Sequence, residues 1–343
     1  MKYTQQDFKS DQIVKWCPGC GDHAILAAVL RAMPEICEKR GYTREQFVFV
    51  SGIGCSSRFP YYMNTYGFHG IHGRAGALAT GMKVGNPKLS VWQMTGDGDA
   101  LAIGGNHFIH EIRRNIDVNI ILFNNRIYGL TKGQYSPTSK FGMVTKTSPY
   151  GTVEYPFTPG ELVLGARGTF FARSLDSELA LNQEIMVRAA MHDGTSVMEM
   201  LVNCMIYNNG THADISDRAV RADRTIILRD GEPMIFGKDR DKGIILDGLK
   251  LKVVKIGENG ITEKDLLVHN SKEDNSKEDN FGIHSMLVDM KGPDFPVALG
   301  VIRDVADKTY DDSIYEQMDE VKAKAKIHSM DELLHSGATW TVE

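Results

Sequence analysis

Four cysteines and two short acidic and amide turns are the residues of this chain whose types and spacing can do chemistry. Cys17 and Cys20 frame a Pro-Gly pair in VKWCPGCGDH, Val14 to His23. A Cys-x-x-Cys serves as a redox disulfide, as half of a zinc site or as half of an iron–sulfur site. Cys55 lies in GIGCSSR and Cys204 in VNC, each where an apolar run ends. Four thiolates match a [4Fe–4S] cluster and match a structural Cys₄ zinc site equally well, so their spacing leaves both open. The fifth cysteine, Cys37, sits in an apolar helical run and reads as a buried free thiol. The second constellation is GDGD, Gly96 to Asp99, with Asn124-Asn125 downstream. A carboxylate, an amide oxygen and a backbone carbonyl make a hard, all-oxygen set suited to Mg²⁺ completed by water and phosphate oxygens. A Gly-rich turn at a helix start also presents N–H groups to phosphate. A diphosphate bridged to the protein through Mg²⁺ is the physical reading.

Strands and helices must position these turns. FVFVS (Phe47 to Ser51), LSVWQMT (Leu89 to Thr95) and VNIILFNN (Val118 to Asn125) are short apolar runs with the pattern of buried strands. DHAILAAVLRAMPEICE, Asp22 to Glu38, repeats apolar residues at helical spacing, with Asp22 as the expected N-cap, Gly41 as the stop and Pro34 as the place to kink or shorten. GRAGALATGMKVG (Gly73 to Gly85) reads as a closely packed small-residue helix, and ALAIGGNHFIHEIRRN as a helix opened by GDGD. TFFARS, a helix from Ser177 to His192 and SVMEMLVNC continue the alternation. Strands alternating with helices predict an α/β fold, a doubly wound parallel sheet that binds ligands at its strand C-terminal ends. One helix separates Asp97 from Asn125, so adjacent strand ends bring them together. Cys55 and Cys204 fall on the same edge.

The 343 residues carry a net charge of -5, which offers no general attraction for nucleic acid or an anionic membrane. No long uncharged apolar run is present and the start, MKYTQQDFKSDQ, is polar, against a membrane span or secretory signal. Five cysteines are too few for a disulfide framework, and a reducing cytoplasm is the expected compartment. Between Asn125 and Gly160 runs a long segment rich in Gly, Pro, Ser, Thr and Tyr, and loops of that length in compact domains are functional or disordered. The composition shifts between Gly210 and Thr225, which divides the chain into residues 1–215, carrying the site, and a mixed, partner-facing C-terminal extension, 216–343. The tandem SKEDNSKEDN, Ser271 to Asn280, reads as an exposed solvated loop.

GDG followed at a distance by NN resembles the thiamine diphosphate motif, which implies Asp97, Asn125 and the Ile127 carbonyl on Mg²⁺, with Gly96, Gly98 and Asp99 along the diphosphate. In order, CPGCGDH, SGIGCSSR, HGRA, TGDGD, NN and a late Cys closely resemble the beta subunit of 2-oxoacid:ferredoxin oxidoreductases, over about residues 12 to 205. That resemblance implies a fold of thiamine diphosphate-binding type and Cys17, Cys20, Cys55 and Cys204 as ligands of a [4Fe–4S] cluster. It also implies Ile53, Gly54, Cys55 and Ser56 against the thiamine rings and His72 at the cofactor. IYGLTKGQYSPTS, with TSPYGTVEYPF after it, resembles the 2-oxoglutarate type more than the pyruvate type. The implied reaction is coenzyme A-dependent oxidative decarboxylation of 2-oxoglutarate to succinyl-CoA, run in either direction, with electrons leaving to ferredoxin. Pyruvate or several 2-oxoacids as substrates, a non-redox thiamine diphosphate enzyme with a zinc Cys site, and a non-enzymatic binding subunit are the competing readings. In the family the glutamate that activates the aminopyrimidine belongs to the alpha subunit, so this chain resembles half of an enzyme, in a heterodimer or a dimer of heterodimers.

A 2-oxoacid also needs its carboxylate held, and Arg58 and Lys132 are the cations beside the cofactor turns, Arg as a bidentate fork and Lys as a point charge. Arg74 in HGRAG is balanced between phosphate contact and an exposed helix start. His107 and His110 read as packing or surface residues of a helix.

Overall fold

The structure, a computed structural model, describes residues 2–272, 280–290 and 292–342. The strands are β1 (Phe47–Ser51), β2 (Tyr66–His69), β3 (Ser90–Gly96), β4 (Asn119–Asn124), β5 (Phe170–Leu175), β6 (Ser196–Leu201), β7 (Thr225–Ile227), β8 (Ile235–Phe236), β9 (Lys242–Asp247), β10 (Lys250–Lys255) and β11 (Val297–Asp304). Eight of them form one sheet in the order β2-β1-β3-β4-β6-β5-β11-β7, and β8, β9 and β10 form a small antiparallel sheet. From β2 to β5 all neighbours are parallel; β11 runs antiparallel to β5, and β7 parallel to β11.

The central strands are buried on both faces, as a parallel sheet covered by helices requires. Every residue of β1 is buried. Phe47 and Phe49 enter one apolar core and Val48 and Val50 the other, because successive side chains point to opposite faces. The helices Asp22–Arg40 and Leu179–Met191 cover the first face. The helices Ala75–Gly85 and Gly105–Arg113 cover the second, through Ala79, Phe108 and Ile112. This is the α/β doubly wound architecture of the sequence reading.

The details depart from that reading in four places. Gly21, not Asp22, caps the first helix; Asp22 lies buried in its first turn, and the helix runs through Pro34 to a left-handed Gly41 at φ 70°. β2 is an additional edge strand, which its exposed, weakly patterned YGFH does not announce. The helix after GDGD is broken: a π-turn, Asp99–Ile103, kinks at Ala102 before the helix Gly105–Arg113 starts. A close approach requires that kink, because a Cβ on Gly104 would lie 2.4 Å from the Asp99 carbonyl oxygen and 3.1 Å from the Cα of Gly73. Finally, two strands from beyond residue 215, β7 and β11, join the main sheet, and β8, β9 and β10 form the small one. Of the SKEDN tandem, Ser271 is buried and bonded to Asp230, and residues 273–279 lie outside the described residues.

Candidate functional site

β1, β3, β4 and β6 are adjacent and parallel, so the turns that follow them share one edge of the sheet. Those turns hold Gly52 to Ser56, Asp97 to Asp99, Asn125 to Ile127, and Cys204. They enclose a cavity of about 560 Å³ whose wall includes Ile53, Gly54, Cys55, Ser56, His72, Gly96, Asp97, Gly98, Asp99, Asn125 and Ile127. Residues 128–131 and Gln134, from the start of the long loop, line it too.

Asp97 is buried, and burial raises its pKa; the hydroxyls of Ser136 and Thr138, each donating to Oδ2 at 2.5 Å, work against that rise. Its hydrogen-bond donors are hydroxyls and backbone N–H groups, Arg126 bears on it through its charge, and a divalent ion in the cavity would offset the buried carboxylate. Asn125 lines the same cavity, its Oδ1 accepting from the N–H of Ile127 at 3.1 Å. The donor set is all oxygen and fits Mg²⁺.

Asp99 lines the cavity and is bonded to four groups of its own chain. Its Oδ1 accepts from the N–H of Ile53 (3.0 Å) and of Gly73 (2.7 Å) and meets His72 Nδ1 (2.8 Å), while Oδ2 accepts from Thr95 Oγ1 (2.7 Å). With all these donors engaged, Asp99 clamps the turn after β1, the turn before the helix Ala75–Gly85 and the end of β3 to one another. Tyr128 closes the same region. Its hydroxyl donates to the Gly98 carbonyl at 3.0 Å, and its ring lies so close that a Cβ on Gly98 would stand 2.2 Å from it. Burial, with the charges of Asp97 and Asp99, pushes the Tyr128 phenol up to about 12, so it acts as a neutral donor.

The cysteines converge beside this cavity. Cys17-Pro-Gly-Cys20 is a type II turn, with Pro second, Gly19 at φ 78° and the Cys20 N–H donating to the Cys17 carbonyl at 3.1 Å. Gly21 N–H donates to the Asn203 carbonyl, tying this turn to the end of β6. Trp16 Nε1 donates to the Cys55 carbonyl at 2.6 Å. A Cβ on Gly129 would lie 3.5 Å from Cys55 Sγ and 3.6 Å from Cys204 Sγ, so both sulfurs flank that glycine. Asn208 Nδ2 donates to the carbonyls of Asn125 and Arg126, joining the Cys204 loop to the metal-site turn. Burial pushes the Cys55 thiol up to about 12, with Asp22 and the neighbouring cysteines adding and Arg58 opposing; burial and Asp22 raise Cys20 as well. Asp22 itself is pushed up to about 7 by burial, and its Oδ2 has no partner. Cys37 is buried in the helix Asp22–Arg40.

Two expected residues lie elsewhere. Arg58 and Lys132 are exposed and neither lines the cavity; no Lys or Arg does so among the described residues. Arg58 follows Cys55 through one short helical turn, so its charge bears on that thiol, and Lys132 occupies a left-handed turn position at φ 77°. Arg74 donates to the carbonyls of Gly73 and Ile103, and His110 accepts from Arg113, so both serve local structure. The sequence reading missed Ser136, Thr138 and Tyr128; the length of their loop was the signal available.

Residues 52–200 match the family model of the thiamine pyrophosphate enzyme C-terminal TPP-binding domain. The chain is 46% identical to a 2-oxoglutarate oxidoreductase subunit KorB of Mycobacterium tuberculosis, over 98% of this chain and 88% of that one. It is 44% identical to a 2-oxoglutarate synthase subunit KorB of Archaeoglobus fulgidus, over 63% of this chain and 79% of that one. A solved structure of the 2-oxoglutarate:ferredoxin oxidoreductase from Magnetococcus marinus, with 2-oxoglutarate, coenzyme A and succinyl-CoA bound, superposes with a TM-score of 0.76 at 29% identity, covering 98% of this chain and 97% of that one. With its strand-end cavity and converging cysteines, the chain belongs to the KorB family, the beta subunits of 2-oxoglutarate:ferredoxin oxidoreductases.

Proposed function

We propose that this chain is the half of a 2-oxoglutarate:ferredoxin oxidoreductase that holds both thiamine diphosphate and a [4Fe–4S] cluster. In the reaction, 2-oxoglutarate, coenzyme A and oxidised ferredoxin give succinyl-CoA, CO₂ and reduced ferredoxin. The observation that carries the reading is one cavity walled jointly by Gly96–Asp99, Asn125, Ile127 and the Cys55 turn, with a second cysteine sulfur at Gly129. When bound, thiamine diphosphate supplies the carbanion that adds to a 2-oxoacid, and the cluster takes up electrons singly.

The chain's own residues have separable tasks. Asp97, Asn125 and the Ile127 carbonyl hold Mg²⁺, and the Gly96–Gly98 turn lets the diphosphate approach the backbone. Asp99 and Tyr128 keep that turn in shape. Ile53, Gly54 and Ser56 pack against the cofactor rings, and His72, anchored on Asp99, faces the cavity. Cys17, Cys20, Cys55 and Cys204 hold the cluster. Because no Lys or Arg among the described residues lines the cavity, the substrate's two carboxylates require cations from beyond its wall. An alpha subunit is the natural source and makes the working unit a heteromer; Arg58 and Lys132 then act from the rim or not at all.

The test is metal and cofactor analysis of protein purified without oxygen together with its partner subunit. About four iron, four sulfide and one thiamine diphosphate per chain are expected, as for one Cys₄ cubane. Asp97→Ala should lose thiamine diphosphate and keep iron, and Cys55→Ser the reverse. Zinc without iron overturns the redox half of the reading, and absence of thiamine diphosphate overturns the rest.

A further inference from the structure

The two hydroxyls that reach Asp97, from Ser136 and Thr138, both bind Oδ2, on a carboxylate that lines the cavity and whose other donors are backbone N–H groups of its own turn. Thr138 also lies 2.9 Å from Asn124 Oδ1. The orientation of Asn124 is not free: its Nδ2 donates to Glu199 Oε1 at 2.8 Å, and Glu199 Oε2 accepts from Arg173 Nε at 2.7 Å. Arg173 and Glu199 are cross-strand partners on β5 and β6, and Asn124 ends β4, so three adjacent strands anchor this line of groups. All the side chains in it are buried. A flipped Asn124 would turn its oxygen onto a carboxylate, so its carbonyl must face Thr138.

Thr138 therefore has one hydroxyl proton and two near acceptors, Asp97 at 2.5 Å and Asn124 at 2.9 Å, with Ser136 Oγ farther off at 3.3 Å. Hydrogen bonds to ionised acceptors are roughly twice as strong as neutral ones. The proton goes to Asp97 while that carboxylate carries its full charge, and to Asn124 when a cation draws the charge away. In either arrangement the hydroxyl stays bonded, and the loop that carries it stays docked. Resting on the cofactor reading above, we propose that Thr138 is a positioning residue for the metal site: its hydroxyl, shared between Asp97 and the Asn124–Glu199–Arg173 line, aims the Asp97 carboxylate and docks the loop that roofs the cavity.

The experiment is a Mn²⁺ titration of the full-length, metal-stripped chain in the presence of thiamine diphosphate, read by the EPR signal of free Mn²⁺. Thr138→Val keeps the side-chain shape and removes the hydroxyl; a loss of Mn²⁺ affinity of about tenfold is expected. Thr138→Ser keeps the hydroxyl and removes the methyl, and should bind within about twofold of the parent chain. Equal affinity for the valine and parent chains overturns the proposal, as does a serine chain as weak as the valine one, which would trace the effect to packing. Should the valine chain fail to fold, Thr138→Ala read against Thr138→Ser isolates the same hydroxyl under the same criteria. A parent chain with no thiamine diphosphate-dependent Mn²⁺ site overturns the cofactor reading and this proposal together, whereas equal binding by parent and valine chains removes only this proposal.

Discussion

Replacing Asp99 with alanine should destabilise the fold even where no cofactor is bound. The carboxylate receives the N–H of Ile53 at 3.0 Å and of Gly73 at 2.7 Å, and the residue is 2% exposed. Asp99→Ala orphans both backbone donors, at about 1–3 kcal/mol each. Thr95 can rotate its hydroxyl and His72 can turn to water, so they add little; about 4 kcal/mol is the expected loss. At about 2 °C per kcal/mol for a chain of this size, Tm should fall by about 8 °C. The assay is thermal unfolding followed by circular dichroism, with thiamine diphosphate and Mg²⁺ removed. The cofactor's absence is what makes the test selective. If Asp99 instead served the diphosphate, the stripped variant would melt with the parent and differ only once cofactor was added. A fall below about 2 °C in the stripped state refutes the clamp. Asp99→Asn, which keeps one acceptor oxygen for the two amides, should lose less than half as much.

Four further outcomes follow from the same geometry. Gly98→Ala places a methyl 2.2 Å from the Tyr128 ring, so it should cut thiamine diphosphate affinity at least tenfold by calorimetry, and Tyr128→Phe, which keeps the ring, should not relieve the clash. In the metal-free chain at pH 7, iodoacetamide should label exposed Cys17 first and Cys20 and Cys55 at least tenfold more slowly, because burial keeps those two thiols protonated. Cluster loading must displace their protons, so it should strengthen with rising pH. Burial, with Arg126 adding, holds His212 down to about 4 from its ordinary 6.5, neutral against the Asn124 carbonyl. The unfolded chain then binds the extra proton between those values, so stability is full above pH 6.5 and falls as pH drops towards 4, by about 3 kcal/mol at about 1.4 kcal/mol per unit. Urea unfolding of His212→Gln across that range should lack this part of the slope.

The sequence by itself determined the alternation of strands and helices, because period-2 and period-3.6 apolar patterns are local. It also determined which turns carry chemistry, because CPGC, GDGD and NN are made of residues that turns and ligands both select. All eleven residues named for the cofactor and Mg²⁺ line one cavity, a consequence of parallel strands ending on one edge. Only the tertiary structure decided how those residues are used. Asp99 reads the same in sequence whether it meets a diphosphate or four donors of its own chain, and the donors come from turns 26 and 46 residues away as well as from nearby Thr95. Arg58 and Lys132 stand close to the right turns in sequence, yet their backbone directs them to the surface. Ser136 and Thr138 lie about 40 residues from Asp97, in a loop with no periodicity to betray it. Likewise the antiparallel return of β11 to β5 depends on long-range pairing that no local pattern specifies, and it places β11 and β7 at the far edge of the same sheet.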